Sequence, residues 1–210
     1  MTDNDAPEPQ TVITSLRGHL LCAVPQLVDP NFVRAVVLMV AHDEDGAFGL
    51  VINDALPTLV AEVTAAIDVT WAGPEGAQLR LGGPVEPTRG FILHGDPTWD
   101  PLAEPLVDDL CLTTSLDAIE RDRPLGADGS AMVILGYAGW GAGQLEAEMN
   151  SGSWIAAPIL GEAERGRGVR PRWLFAVEPA QMWSEALAAA GIDPARFVGH
   201  SGLGAPIAKA

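Results

Sequence analysis

A stretch of thirteen residues, Gly136 to Glu148, constrains the fold more than any other part of the sequence. It places four glycines within eight positions, between an apolar run and a segment with helical spacing. Glycine is favoured where the backbone takes a positive φ or approaches another segment closely, so this stretch predicts a tight turn between a buried strand and a helix. Polar and aromatic side chains flank the glycines and make this turn the first candidate binding site: Tyr137, Trp140, Gln144 and Glu146.

The rest of the chain alternates short apolar runs with turns and helical patterns, without the regular ~30-residue repeat of a βαβ fold. Predicted strands cover 36–40, 48–53, 78–81, 90–94, 110–113, 131–136 and 173–177. Predicted helices cover 59–67, 115–119, 143–149 and 180–190, and a proline-rich surface loop covers 96–104. Acidic residues ending in Gly46 separate the first two strands and predict an antiparallel hairpin. We therefore expect one compact domain over 15–205, of the α/β class with α+β character: a mixed, largely antiparallel sheet with helices packed on it.

The charge balance limits the partners, because 28 acidic residues against 12 basic ones give a net charge of −16. A chain this acidic repels phosphate backbones, so direct nucleic-acid binding is not expected. No apolar run approaches the ~18 residues of a membrane span. Residues 1–14 are acidic and proline-rich, whereas a secretory signal is basic and then apolar. We expect a disordered acidic tail at 1–14 on a cytoplasmic protein that makes no membrane contact.

Two cysteines and one group of arginines each allow two interpretations. Cys22 and Cys111 lie far apart in sequence and do not form a disulfide framework or a metal set. Both lie in apolar runs, which favours buried core thiols over the alternative of a redox pair. The arginines at 165–172 are interleaved with glycines, which favours a solvated surface loop over the alternative of an anion contact.

The glycine stretch does not match the known nucleotide-binding patterns. Glu146 stands where a dinucleotide fingerprint has its third glycine, and Gln144 stands where a phosphate-binding loop has its lysine. The start of the following helix could still present backbone N–H groups to an anion. Glu146 and Glu148 already lie at that positive helix end, which favours a structural turn with a capped helix.

Catalytic and metal-binding patterns are also incomplete. Ser201 follows His200, but neither a helix nor a histidine follows it, as a hydrolase elbow requires. Histidines and nearby carboxylates lack metal-site spacing, so we expect no metal and no cofactor. His42 and His94 each end an apolar run. Such histidines usually bond the neighbouring backbone, yet strand ends are also where pockets form.

Ordered motifs from about Leu16 to Gly202 resemble the AlgH/YqgE family of bacterial proteins. The main motifs lie at 16–21, 29–32, 46–53, 82–85, 89–94, 136–140 and 143–148. The resemblance implies a compact α/β fold with no established activity, and one branch of the family is linked to regulation of exopolysaccharide production. This chain has Ala41 and Asp54 where the family commonly has Glu and Lys, so a catalytic role for that pair would not transfer to it.

These observations support three hypotheses about function. The first is a non-catalytic binding or regulatory protein that acts through a protein partner or a small molecule, with these site candidates: His42, Asn53, Arg89, His94, Tyr137, Trp140, Gln144 and Glu146. The second is an enzyme with a histidine base, either His42 or His94, and an oxyanion site at Gln144 or the 141–143 backbone. The third is a transcription-linked regulator without direct DNA contact, since no helix-turn-helix pattern is present. The first two require imidazole, amide and indole groups to meet on one surface.

Overall fold

The computed structural model describes residues 15–114, 119, 125 and 130–198. The strands in this part of the chain are β1 (His19–Ala23), β2 (Val36–Asp43), β3 (Gly46–Val51), β4 (Ala55–Leu59), β5 (Gln78–Leu81), β6 (Val85–His94), β7 (Glu104–Val107), β8 (Leu110–Thr113), β9 (Ala131–Gly141) and β10 (Trp154–Pro158). The helices are α1 (Val60–Ala65), α2 (Gln144–Asn150), α3 (Trp173–Ala176), α4 (Pro179–Ala189) and α5 (Ala195–Val198). The tail predicted at 1–14, the pair at 200–201 and all but one residue of the helix predicted at 115–119 lie outside the described residues.

The strands form one curled sheet in the order β10-β1-β2-β3-β9-β6-β8-β7. All these neighbours are antiparallel. β5 pairs with β4 and runs parallel to β9, so the sheet is mixed. The predicted fold class is therefore confirmed: a sheet-dominated, mixed α/β protein whose sheet is largely antiparallel. The hairpin predicted on either side of Gly46 is β2–β3.

The eleven-residue strand β9 holds the sheet together. Its first half pairs with β6 on one side and with β5 on the other, and its last residues pair with β3. Glycines allow this crowding: a Cβ on Gly82 would collide with the carbonyl oxygen of Gly136, and Gly83 lies against the backbone of Tyr137. The prediction of a turn beginning at Gly136 was therefore wrong. The glycines from Gly136 to Gly141 lie inside β9, and the turn is confined to 142–143.

Buried apolar side chains cover both faces of the sheet. Along β2, Val36, Leu38 and Val40 belong to one core cluster, while Val37 and Met39 belong to another. This alternation follows from the two-residue period of a strand. Helix α4 packs on the first cluster through its buried residues, which are Met182, Trp183, Ala186 and Leu187.

The main difference between prediction and structure is at 173–177, where an apolar run predicts a strand and the chain forms α3 instead. Apolar runs this short do not distinguish a buried strand from a buried helix. Leu174 is fully buried, while Trp173, Phe175 and Val177 pack at the margin of the first core cluster. The helix predicted at 180–190 is confirmed as α4, with Pro179 in its first turn and Gly191 beyond its end at φ +84°. No helix in the described part of the chain is long and apolar enough to span a membrane.

Candidate functional site

The pairing of β2, β3 and β9 brings two predicted site residues into one row across the sheet. His42 is opposite Ala47, and Ala47 is opposite Trp140. Cross-strand partners project to the same face of a sheet, so the imidazole and the indole lie on one side. Gly143 then takes a left-handed φ of +71° and turns the chain into α2. We call the resulting group the β9–α2 corner: His42, Trp140, Gln144, Glu146 and Glu148.

Both ring nitrogens of His42 are already hydrogen-bonded. The backbone N–H of Leu16 donates to Nδ1 at 2.9 Å, so Nδ1 carries no hydrogen. The hydrogen is therefore on Nε2, which donates to Oε1 of Glu146 at 3.0 Å. The His42 side chain is 6% exposed and that of Glu146 is 51% exposed, so the bond joins a buried ring to a solvated carboxylate.

The carboxylate of Glu146 is stabilised in its charged form. Its own backbone N–H lowers its pKa most, and the hydrogen bond from His42 lowers it further. Hydrogen bonds donated to a carboxylate favour its ionised form. Glu146 is therefore an ionised acceptor at neutral pH and has no proton to donate as a general acid.

Glu148 is the centre of the corner. Its Oε2 accepts hydrogen bonds from the indole N–H of Trp140 at 3.0 Å and from that of Trp154 at 2.7 Å. Its Oε1 accepts from the side-chain amide of Gln144 at 2.9 Å, and the amide oxygen of Gln144 accepts from the N–H of Gly141 at 3.1 Å. One carboxylate thus joins β9, α2 and β10.

Phe32 completes the apolar side of this cluster. Its ring stacks on Trp140 at 6.4 Å and meets Trp154 edge-on at 5.5 Å. Sequence reasoning did not include Phe32, Glu148 or Trp154 among the site candidates. Gln144 and Glu148 lie one helical turn apart, and this spacing was the available signal for Glu148.

Asn53 lies away from the corner. Its amide oxygen accepts from the backbone N–H of Val36 at 2.8 Å, and its amide nitrogen donates to the carbonyl of Arg34 at 2.9 Å. These bonds hold Arg34 in a left-handed conformation with φ +53°. Asn53 also lines a cavity of about 380 Å³ with Trp183 on α4.

Tyr137 and Arg89 lie on the other face of the sheet from Trp140. Tyr137 packs against the first core cluster, whereas Trp140 belongs to the second. The guanidinium of Arg89 lies 5.3 Å from the ring centroid of Phe91 and 6.0 Å from that of Tyr137. Arg89 also pairs with Glu86 at 3.2 Å, so these side chains form a surface cation–π group separate from the corner.

His94 is fully buried at the end of β6. Its Nε2 bonds the hydroxyl of Thr113 at 3.1 Å, and that hydroxyl donates to Asp100 at 2.8 Å. Burial lowers the pKa of His94, and the backbone of Asp96 together with the charges of Asp96 and Asp100 opposes this shift. The two histidines proposed as alternative bases therefore occupy different environments.

The two cysteines and Arg170 occupy structural positions in this fold. Both cysteines are buried free thiols, and burial raises the pKa of Cys22 to about 12. Arg170 donates to the carbonyls of Leu160, Gly161 and Glu164 and so closes the arginine-bearing loop on itself. Among the described residues, no group of three or more His, Cys, Asp or Glu side chains is arranged to hold a metal ion.

Fold and corner together define a class: a sheet-dominated α/β protein with a hydrogen-bonded corner in which one carboxylate joins two indoles and an amide. The chain belongs to the AlgH-like family, whose profile matches residues 20–195. It is 39% identical over 193 residues to a UPF0301 protein of Stenotrophomonas maltophilia strain K279a. The matched region covers 90% of this chain and 96% of that protein. A UPF0301 protein of Magnetococcus marinus is 40% identical over 187 residues, or 89% and 95% of the two chains.

The fold is also similar to those of solved structures. The solution structure of the AlgH protein from Pseudomonas aeruginosa matches with a TM-score of 0.65 and 33% identity, covering 94% of this chain and 100% of that one. A crystal structure from Corynebacterium diphtheriae matches with a TM-score of 0.64 at 22% identity, covering 81% and 84%, and shows a shared fold. The expected family is therefore confirmed.

Proposed function

We propose that this protein is a non-catalytic, cytoplasmic binding protein that recognises a protein partner through the β9–α2 corner. The observation that carries this proposal is the mutual hydrogen bonding of the corner's polar side chains. His42 bonds the backbone of Leu16 and the carboxylate of Glu146. Gln144 bonds the backbone of Gly141 and the carboxylate of Glu148, which also accepts from two indoles. Such a network holds a surface rigid, which lowers the entropic cost of binding.

The same network argues against the enzyme hypothesis. A general base must offer a free lone pair within hydrogen-bond reach of the substrate proton. The Nδ1 lone pair of His42 is occupied by the N–H of Leu16, and the carboxylate of Glu148 already accepts three hydrogen bonds. His94 is fully buried elsewhere and cannot serve the same site.

The surface around the corner suits a protein partner. Gly139, Gly141 and Ala142 are exposed, so a strip of backbone with little side-chain cover is open to contact. Gly46 pairs with Gly141, which places the exposed acidic turn at 43–45 beside this strip. An acidic rim of this kind favours a partner with a basic surface. Three cavities of about 250–500 Å³ in the described structure are lined by residues outside the corner.

The regulatory hypothesis is compatible with this surface. A net charge of −16 disfavours contact with DNA, so a role in transcription would act through a bound protein. The corner supplies the place for that contact. We include such regulation in the proposal as one process that the partner could serve.

The test is affinity capture from cells of the source organism with two matched variants. Gly141→Arg adds a large side chain to the exposed backbone strip beside the corner, where a Cβ has no atom within 4 Å. Gly76→Arg makes the same change at an equally open glycine in the loop before β5. We expect Gly141→Arg to reduce recovery of the partner at least about tenfold and Gly76→Arg to leave it unchanged, since a bulky charge disturbs only the interface that holds it. Equal recovery with both variants would refute the corner as the binding surface.

A further inference from the structure

A second site lies at the start of β9, at the opposite end of that strand from the β9–α2 corner. It is a cavity of about 250 Å³ between the loop before β5, the beginning of β9 and the connection from α3 to α4. The residues that matter for its chemistry are Gly76, Arg80, Ala131, Met132, Phe175 and Glu178. Their charges and unused donors point to a ligand.

Arg80 supplies a positive wall with spare hydrogen-bond donors. Its Nη1 donates to the carbonyl of Ile52 at 2.7 Å, which fixes the guanidinium in place. Its Nε is buried and has no hydrogen-bond partner among the described residues. Burying a donor without a partner is unfavourable, so the Arg80 guanidinium gains from an acceptor bound in the cavity that it lines. Arginine presents its donors in a planar fork that matches a carboxylate.

Glu178 supplies a negative charge on another wall. It precedes α4, and its side chain makes no hydrogen bond to cap that helix. Its charge acts on Arg80, yet no direct ion pair joins the two side chains in the described structure. The cavity therefore holds a cation and an anion that face a common space without neutralising each other by contact.

We propose that this cavity binds a small zwitterion of the α-amino-acid type, with its carboxylate against Arg80 and its ammonium group against Glu178. A simple anion would be repelled by Glu178, and a simple cation would be repelled by Arg80. A zwitterion satisfies both charges at once. A cavity of about 250 Å³ has room for a small amino acid. The apolar surface of Met132 and Phe175 suits a short apolar side chain.

The experiment is a titration of the ¹⁵N-labelled full-length protein with L-alanine, followed by amide chemical shifts. Acetate and ethylammonium are titrated separately, because each carries one of the two charges. We expect saturable shifts at residues 76–80, 131–132 and 175–178 with L-alanine. Each single-charge probe should bind about tenfold more weakly, since linked charges bind as one unit.

Two variants and a control separate the cavity from other sites. Glu178→Gln removes one charge and keeps the side-chain shape, so it should weaken the binding of L-alanine about fivefold without weakening the binding of acetate. Gly76→Leu adds bulk at the cavity wall, where a Cβ has no atom within 4 Å, and should abolish the shifts. Gly141→Leu makes the same change at an equally open glycine at the other end of β9 and should leave L-alanine binding unchanged.

Several results would overturn the proposal. Absence of saturable shifts with L-alanine, or shifts centred on other residues, would remove the site. Acetate binding as tightly as L-alanine would refute the zwitterion, and unchanged binding in Gly76→Leu would refute the location. These outcomes do not depend on the partner-binding proposal, because that proposal is tested by Gly141→Arg at the other end of β9.

Discussion

Replacing Glu148 by alanine is the sharpest test of the β9–α2 corner as a stabilising network. The change removes the acceptor for the indole N–H groups of Trp140 and Trp154. These side chains are only 6% and 3% exposed, so most of each indole stays out of reach of water. The free amide of Gln144 is exposed and is hydrated instead, so its loss contributes little.

The magnitude follows from the two indole donors. Each buried donor left unpaired costs ~1–3 kcal/mol. Because Glu148 itself is half-buried and water can enter the space it leaves, we take the lower part of that range and expect a loss of about 3 kcal/mol. This is a large share of the ~5–15 kcal/mol by which proteins are stable. With a urea m-value of about 2 kcal/mol/M, the unfolding midpoint falls by about 1.5 M.

The assay is urea unfolding followed by far-UV circular dichroism, with Glu185→Ala as the matched control. Glu185 also accepts from an indole, that of Trp173 at 2.9 Å, but it does so alone and on an exposed side chain. We expect the control to cost less than about 1 kcal/mol. If Glu148→Ala and Glu185→Ala lower the free energy of unfolding equally, then burial of the indoles and acceptance of two hydrogen bonds by Glu148 do not set the cost.

Three further predictions concern other parts of the fold. Burial lowers the pKa of His94 below 6.5, so near that pH the unfolded chain binds a proton that the folded chain does not. The free energy of unfolding should therefore fall as the pH drops below 6.5. His94→Asn should make the urea unfolding midpoint depend less on pH between pH 8 and 5. Burial raises the pKa of Cys22 to about 12, so its thiol should react with a disulfide reagent at pH 8 only after unfolding, and rapid reaction of the folded protein would contradict this. A Cβ on Gly46 would collide with the backbone of Trp140, so Gly46→Ala should lower the free energy of unfolding by at least ~3 kcal/mol, measured by thermal unfolding. Gly141 is the cross-strand partner of Gly46 and has open space where a Cβ would lie, so Gly141→Ala should change stability very little.

The sequence predicts those elements whose signals are local. The β2–β3 hairpin follows from two apolar runs and an acidic turn ending in Gly46, and α4 follows from Pro179 at its start and Gly191 after its end. The run at 173–177 carries no such end signals, so strand and helix were equally compatible with it. β1 and β10 were not predicted, although they pair with each other along their full length.

The corner could be predicted only in part, because it depends on strand order. Trp140, Gln144 and Glu146 are close in sequence, and their grouping follows from one turn. His42 joins them only because β3 lies between β2 and β9, and no local pattern reports that order. Tyr137 is three residues from Trp140 within β9, so the two-residue period of a strand places it on the other face of the sheet.

The central position of β9 also bears on how the chain is made. During synthesis, β3, β5 and β6 leave the ribosome well before β9, so the edges that pair with β9 stay unpaired until it emerges. Unpaired strand edges are templates for aggregation. A nascent chain stalled before residue 131 therefore presents several unprotected edges at once, and they stay open to other chains until the last of β9 has emerged.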